Sequence, residues 1–345
     1  MGDLTWPDVL SPLVAGDDVA PDVVEWAMRR ILDGEATDAQ IGAFGVALRA
    51  KGETPIELAA LVRTMFEYSE PIDAPAGAID TCGTGGDRAG TVNVSTMAAL
   101  VAVGAGARVV KHGNRAASSQ CGSADVLEEL GVVIDLGPEG VARCVSEAGI
   151  GFCFAQRFHP ALRHAAAARR ELGVPTTFNF LGPLANPARV RRQVVGVSDP
   201  AMAERIVGTL SVLGAERAMV FYGHDGLDEL TTTTSSTVFS LVDGAVEHFE
   251  VDGREFGLGR SGRDALAGSD PAINAAITRD VLEGAQGAVR DIVVLNAAAA
   301  IVVADLAADL GEGIDRARES LDSGDAVAAL EAFIVASNDA QRGSG

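Results

Sequence analysis

Basic side chains are scarce in this chain of 345 residues: 27 lysines and arginines stand against 48 aspartates and glutamates, a formal charge of −21. Such an acidic chain repels polyanions at long range, which argues against nonspecific binding to nucleic acid or to an anionic membrane. A small anionic ligand is not excluded, because the wider field is screened over about 8–10 Å and the nearest groups govern a pocket. Cysteine is limited to Cys82, Cys121, Cys144 and Cys153, with no CxxC pair and no metal-finger spacing. Reduced, partly buried thiols are expected, with Cys82 and Cys121 flanking the segments of interest below. Long apolar runs are missing as well. Ile292–Ala304 contains Asn296 and falls short of the about 20 residues a membrane span needs. No basic stretch leads into an apolar core after Met1, so no secretory signal is read there, and a cytoplasmic location is expected.

The chain is long enough to bury a large core and to divide into two domains, at about 150 residues each. Its apolar fraction of 48% fits a compact α/β protein. From Pro7 to about Pro71 the apolar residues recur at helical spacing, with Thr37 or Asp38 placed to cap a segment and Pro71 and Pro75 ending the pattern. The pattern then changes to strand candidates (78–82, 107–110, 132–134, 151–155) alternating with helix candidates (96–105, 125–130, 139–148). That alternation predicts a mainly parallel central sheet flanked by helices, with ligands bound at the carboxyl ends of its strands. A single helix over 161–172 and a turn at 182–184 interrupt it, and this stretch is expected to pack back on the N-terminal helices. The expected division is a small helical domain over 1–73 joined by 160–187, and a large α/β domain over 74–159 and 188–345. Sheet segments return at 193–197 and 218–222, 288–305 reads as a helix, and 341–345 as a frayed tail.

Two donor-rich segments carry the chemistry. Gly83-Thr84-Gly85-Gly86-Asp87 follows a strand candidate, and its glycines let the main chain approach a phosphate closely. It lacks the Lys-Ser/Thr of a Walker loop. Thr91, Asn93, Val94, Ser95 and Thr96 then bring an amide and hydroxyls to a helix N-terminus, where free N–H groups favour an anion. Ser95 or Thr96 can cap that helix as well as serve the site. The second segment, Lys111-His112-Gly113-Asn114-Arg115-Ala116-Ala117-Ser118-Ser119, reads as a loop of cations, amides and hydroxyls. Asp228 and Glu229 are adjacent carboxylates after a glycine turn, suited to Mg²⁺ shared with a polyphosphate. His159 and Arg169 can reach one cleft, where an arginine can take a carboxylate through two parallel hydrogen bonds, although the residues alone equally fit a surface arginine beside Arg170.

These segments resemble the anthranilate phosphoribosyltransferase family of tryptophan biosynthesis. The likeness rests on 83–87, 93–96, 111–119, Gly122–Glu128, His159–Leu162, Arg169–Gly173, Phe178–Leu184 and Asp225–Leu230, in the family's order and across most of the chain. It implies a homodimer with the substrate site at the hinge of a helical and an α/β domain. It also implies that Gly83, Gly86, Asp87, Thr91, Asn93–Thr96, Lys111–Ser119 and Ser123 bind phosphoribosyl pyrophosphate. Ser95, Asp228 and Glu229 would hold Mg²⁺, two ions bound with the pyrophosphate, while Gly83, Asn114, His159, Arg169 and Gly182 would meet anthranilate. Two positions depart from the family: Cys121 stands where serine is frequent, and Arg88 where glycine is common. The implied reaction moves the phosphoribosyl group onto the aromatic amine without a covalent nucleophile. A pyrimidine nucleoside phosphorylase shares the architecture and the glycine turn, but needs neither Asp228-Glu229 nor the His159…Arg169 segment. A nucleic-acid-binding relative would show a basic surface and lack Arg169 or Asn114.

Overall fold

A computed structural model of the protein describes residues 4–116 and 120–343. Four helices come first: α1 (Trp6–Ala15), α2 (Pro21–Leu32), α3 (Asp38–Lys51) and α4 (Pro55–Glu67). Their starts are written in the sequence. Thr37 and Gln40 exchange side-chain and main-chain hydrogen bonds at the head of α3, and Thr54 and Glu57 do the same for α4, which answers N–H groups that lack helical partners. Pro21 and Pro55 occupy the first position of α2 and α4, where no N–H is needed.

The chain then enters a sheet with β1 (Ile79–Gly83), α5 (Val94–Gly104), β2 (Val109–Gly113), α6 (Ser123–Glu129), α7 (Pro138–Ala148), β3 (Ile150–Phe154) and α8 (Ala155–Phe158). A 3₁₀ turn over Pro160–Ala165 leads to α9 (Ala166–Leu172), α10 (Phe178–Leu181) and a second 3₁₀ turn at Gly182–Leu184. Next come β4 (Arg192–Gly196), α11 (Pro200–Val212), β5 (Arg217–Gly223), β6 (Ser235–Val242) and β7 (Ala245–Asp252). The chain closes with α12 (Pro271–Leu282), α13 (Ala288–Val303), α14 (Leu310–Asp322) and α15 (Asp325–Gly343).

The sheet has the order β3-β2-β1-β4-β5-β6-β7; the first five strands run parallel and the last two antiparallel. Strand order reverses between β1 and β4, so the connections leaving these two neighbours diverge and open a crevice at their carboxyl ends. The apolar run at 292–304 is α13, a helix buried over nearly its whole length against α5 and α14. Among the described residues no helix is long and apolar enough to cross a membrane.

Several expectations need correction. Lys111, His112 and Gly113 are not loop: they complete β2, with Lys111 in register beside Phe152. Residues 132–134 form no strand; the Val133 N–H is taken by Ser337 Oγ of α15 instead of a strand partner. The helix expected over 161–172 begins as a 3₁₀ turn after Pro160, with Leu162 N–H bonded to His159 C=O, and becomes α-helical only at Ala166. Neither Ser95 nor Thr96 caps α5; the cap position is Asn93 and both hydroxyl residues lie inside the first turn. Gln341–Gly343 continue α15 rather than fray.

Residues of 165–185, among them Phe178, Phe180 and Leu184, share one apolar cluster with α1–α4, and α11 with one face of β4 and β5 joins it. A polar knot crosses this junction. Glu53, buried, accepts from Thr177 Oγ1 at 2.6 Å and from Arg49 and Arg205 at 3.2 Å each, while Arg49 also pairs with Asp199. A buried carboxylate is tolerated only while its partners stay. Replacing Arg49 and Arg205 together by methionine should lower unfolding free energy by about 3–5 kcal/mol, and either change alone by less, as measured by urea denaturation.

Candidate active site

The floor of the crevice is made possible by two absent side chains. Asp228 crosses directly over the ends of β1 and β4. A Cβ on Gly196 would lie 1.7 Å from the Asp228 carbonyl oxygen, and one on Gly83 would lie 2.3 Å from its Oδ2. Beyond β1 the chain turns through Gly85 and Gly86 with φ of 65° and 86°, a left-handed backbone that favours glycine. This turn offers the Gly85 N–H to Asp228 Oδ2 at 2.7 Å. Ser198, after β4, donates from Oγ to the Gly85 carbonyl at 2.8 Å and ties the turn to the neighbouring strand. Arg88 is exposed and also left-handed, at φ 54°, a backbone region that favours glycine.

Charge in the floor is negative and poorly balanced. Burial, and then the neighbouring Asp87, push the Asp228 carboxyl up to about 7, against the opposing Gly85 N–H. Glu229 is pushed well above the carboxylate range by burial and by Asp228, although Lys111 and the Ser95 main-chain N–H pull the other way. Lys111 is buried, donates to the Thr81 carbonyl and to Ser95 Oγ (3.2 Å), and is driven down by burial. Beneath it Asp80, raised to about 6 by burial, receives the His112 N–H at 3.1 Å and Asn186 Nδ2 at 2.8 Å. Lys111 is therefore a cation held under the site, beside Ser95 and facing two acids, and not a solvent-facing loop lysine.

The rim is braced from elements the sequence reading did not connect. Thr91 bridges to Ala267, and Val92 N–H bonds the Leu266 carbonyl at 3.0 Å. Asn93 joins the two donor-rich segments: its Nδ2 donates to the Cys121 carbonyl at 3.2 Å and its Oδ1 accepts from Asn274 Nδ2 of α12 at 2.9 Å. The Cys121 thiol points to the same Oδ1, at 3.4 Å, and burial pushes it up to about 11. Val94 is buried, and Thr96 Oγ1 is buried without a hydrogen bond among the described residues. Asn114 is exposed at the mouth, and its carbonyl accepts from Ser123 Oγ at 3.3 Å. Arg115 differs from expectation: its guanidinium is engaged by Glu128 at 2.7 Å and Asp125 at 3.0 Å on α6, so its charge is already answered. Ala116 N–H also bonds Asp125 (2.9 Å), while Ala117, Ser118 and Ser119 lie outside the described residues.

A third wall is built from 182–186. His112 Nδ1 lies 2.9 Å from the Gly182 carbonyl and His159 Nε2 lies 2.8 Å from the Ala185 carbonyl. A carbonyl only accepts, so both nitrogens carry protons. The rings stand 5.2 Å apart, and burial followed by His159 drives His112 down to about 3. His112 Nε2 is left as a buried acceptor with no partner among the described residues. Arg169 is half-buried and pushed down by burial, with no hydrogen bond or ion pair among the described residues, whereas Arg170 beside it is exposed.

Gly86, Lys111 and Glu229 thus converge on one crevice. Sequence reasoning missed Gly196, Ser198, Asp80, Asn186 and Asn274. The run Gln193–Ser198 repeats the strand–glycine–hydroxyl pattern of 80–84, which was the available signal for the first two. No group of three His, Cys, Asp or Glu side chains among the described residues encloses a metal. Two carboxylates driven toward protonation nonetheless fit Mg²⁺, which takes one or two carboxylates and completes its shell with phosphate and water.

Residues 7–69 match the family model described as glycosyl transferase family, helical bundle domain, and 76–327 match glycosyl transferase family, a/b domain. An anthranilate phosphoribosyltransferase of Nocardioides sp. is 55% identical over 337 residues, 96% of this chain and 98% of the relative. The crystal structure of the anthranilate phosphoribosyltransferase from Thermus thermophilus superposes with a TM-score of 0.91 at 40% identity, covering 96% of this chain and 99% of that one. The Saccharomyces cerevisiae anthranilate phosphoribosyltransferase in complex with PRPP and Mg gives 0.89 at 27% identity, covering 97% and 98%.

Two outcomes follow from the floor. Gly196→Ala, which meets main chain, should destabilise the fold by about 2–3 kcal/mol in denaturant titrations, and Gly83→Ala, which meets a movable carboxylate, by less. A carboxyl raised in the folded state makes folding more favourable at low pH. Stability should therefore fall as pH rises from 3.8 toward about 7. Calorimetric scans across that range should show a smaller fall for Asp228→Asn.

Proposed function

The chain belongs to the anthranilate phosphoribosyltransferase family, and we infer that it transfers the 5-phosphoribosyl group of phosphoribosyl pyrophosphate to the amine of anthranilate. The products are N-(5-phosphoribosyl)anthranilate and pyrophosphate, a step of tryptophan biosynthesis. One observation carries the assignment of residues: a glycine-built turn faces two adjacent carboxylates that Lys111 balances only in part.

In this reading the 85–87 turn holds the pyrophosphate through its main-chain N–H groups, beside the start of α5. Asp228, Glu229 and Ser95 hold Mg²⁺, two ions in our proposal, and the bound metal supplies positive charge against the leaving pyrophosphate. Lys111 keeps Ser95 Oγ oriented and moderates Glu229 from below. The bond between the anomeric carbon and the pyrophosphate oxygen breaks, the carbon–nitrogen bond forms, and the amine loses one proton to the departing pyrophosphate. Bond breaking runs ahead of attack, so the residues act mainly by orienting the partners and answering the departing charge.

Arg169 receives the anthranilate carboxylate in a bidentate pair, which gives its unpartnered guanidinium an anion. Gly182, Asn114, Gly83 and the His112–His159 pair line the approach. An aniline-type amine is nucleophilic when neutral, so no strong base is required. The cysteines take no part: burial pushes Cys144 up to about 12, and Cys82 and Cys153 up as well. The two-domain division at the hinge, a homodimer and a cytoplasmic location complete the proposal; the dimer is tested by light scattering, which should give twice the chain mass, and a single chain mass overturns it.

Mixing the protein with PRPP, Mg²⁺ and anthranilate should make anthranilate fluorescence decay; no decay with folded protein overturns the reading. Lys111→Ala, or Asp228→Ala with Glu229→Ala, should reduce turnover far more than His159→Ala. Arg169→Ala should raise KM for anthranilate by about 30-fold or more, because a charged pair loses about 2–5 kcal/mol when one partner is truncated.

A further inference from the structure

Helix α13 is an apolar helix with one buried amide in it. Asn296, 3% exposed, lies among residues such as Ile292, Leu295 and Ala299 that are buried in the apolar core. An asparagine there must have its hydrogen bonds answered, and the answer lies at the active site. Asn296 Oδ1 accepts the Leu230 N–H at 3.0 Å, and Asn296 Nδ2 donates to the Leu230 carbonyl at 2.9 Å. Nδ2 also donates to the Ile292 carbonyl at 2.8 Å. That third bond fixes which end of the amide is which, since a flipped side chain would set its oxygen against two carbonyls. One side chain thus grips both polar groups of a single main-chain residue, as an adjacent strand would.

Leu230 directly follows Asp228-Glu229. The chain is irregular between β5 and β6, so no strand partner is available there, and side chains take that role. Asp225 Oδ1 accepts the Leu227 N–H at 3.2 Å, and Ser236 Oγ accepts the Thr231 N–H at 2.9 Å. Asp225 belongs to the same excursion and Ser236 to the strand that follows it, whereas Asn296 holds it from α13. The opposite end of the acid pair is seated over Gly83 and Gly196. The pair is therefore clamped between two strand ends and one helix amide.

We propose that Asn296 is a positioning residue for the metal-binding pair. By pinning the main chain of Leu230 it presents Asp228 and Glu229 in their binding arrangement before any cation arrives. This rests on the reading of that pair as the Mg²⁺ site. The like-charged carboxylates would otherwise separate, and cation binding would have to restore their arrangement. Preorganised ligands bind more tightly because that ordering is already done.

The test titrates Mn²⁺, followed by electron paramagnetic resonance, into the full-length protein with pyrophosphate present. It compares wild type with Asn296→Ala, Asp228→Asn and Ser320→Ala. Ser320, on α14, is a matched control: it is buried and its Oγ donates to the Val101 carbonyl at 2.8 Å, away from the acid pair. Asn296→Ala should weaken Mn²⁺ about tenfold while leaving KM for anthranilate unchanged, and Ser320→Ala should leave Mn²⁺ affinity unchanged at a similar loss of melting temperature. Equal weakening in both would overturn the proposal, and so would an Asn296→Ala affinity within twofold of wild type while Asp228→Asn abolishes binding. Unchanged binding in Asp228→Asn removes the metal reading itself and this inference with it. Should Asn296→Ala not fold, amide exchange in the wild type decides. Slow exchange at Leu230 without metal supports preorganisation, and exchange that slows only on adding Mn²⁺ overturns it.

Discussion

Everything in the crevice depends on how closely the main chain at Asp228 passes over the ends of two parallel strands. That approach needs strand-end positions without side chains, and Gly83 and Gly196 provide them on neighbouring strands. The sheet order makes these strands neighbours, and its reversal at the same place opens the space above them. The floor then brings acids together at the cost of mutual repulsion and lost hydration. The raised carboxyls at 228 and 229 show that this cost has not been offset within the protein. In the proposed function a site so arranged favours a ligand that arrives with both anionic oxygens and a divalent cation.

The cations confirm the asymmetry. Lys111 lies below the floor and Arg115 is held by carboxylates on α6, so in the proposed function the pyrophosphate is left mainly to main-chain N–H groups of the 85–87 turn and to metal. In a chain with 48 acidic side chains, donors fixed in the backbone have an advantage. They present positive charge locally without being neutralised by mobile acidic neighbours.

Most of the alternation was legible because parallel strands buried on both faces are short apolar runs, as at 150–154, and because glycine punctuates their ends. The glycine turn and the acid pair were legible because their residue types are chemically unusual in those places. Lys111 was misplaced as loop because a charged residue ends strand patterns in sequence; only its bonds to Thr81 and Ser95 make burial acceptable. The β6–β7 hairpin was missed although Asp243-Gly244, both at positive φ, is a strong hairpin signal; the threonine and serine run ahead of it masked the alternation. Asn186 reaching Asp80 and Asn274 reaching Asn93 were out of reach, because such pairs are 106 and 181 positions apart and nothing local marks them.

Histidine at 112 and 159 gives the third wall a particular chemical character. Both rings spend an N–H on a carbonyl of the 182–185 segment, and burial holds both toward the uncharged form, His112 down to about 3. Burial thus favours the neutral form of both rings in the wall that the proposed function sets beside the aromatic substrate. In the proposed function a shift in acidity therefore acts through the carboxylate floor and the metal it would hold, and through Asp80 beneath Lys111, rather than through the histidine wall.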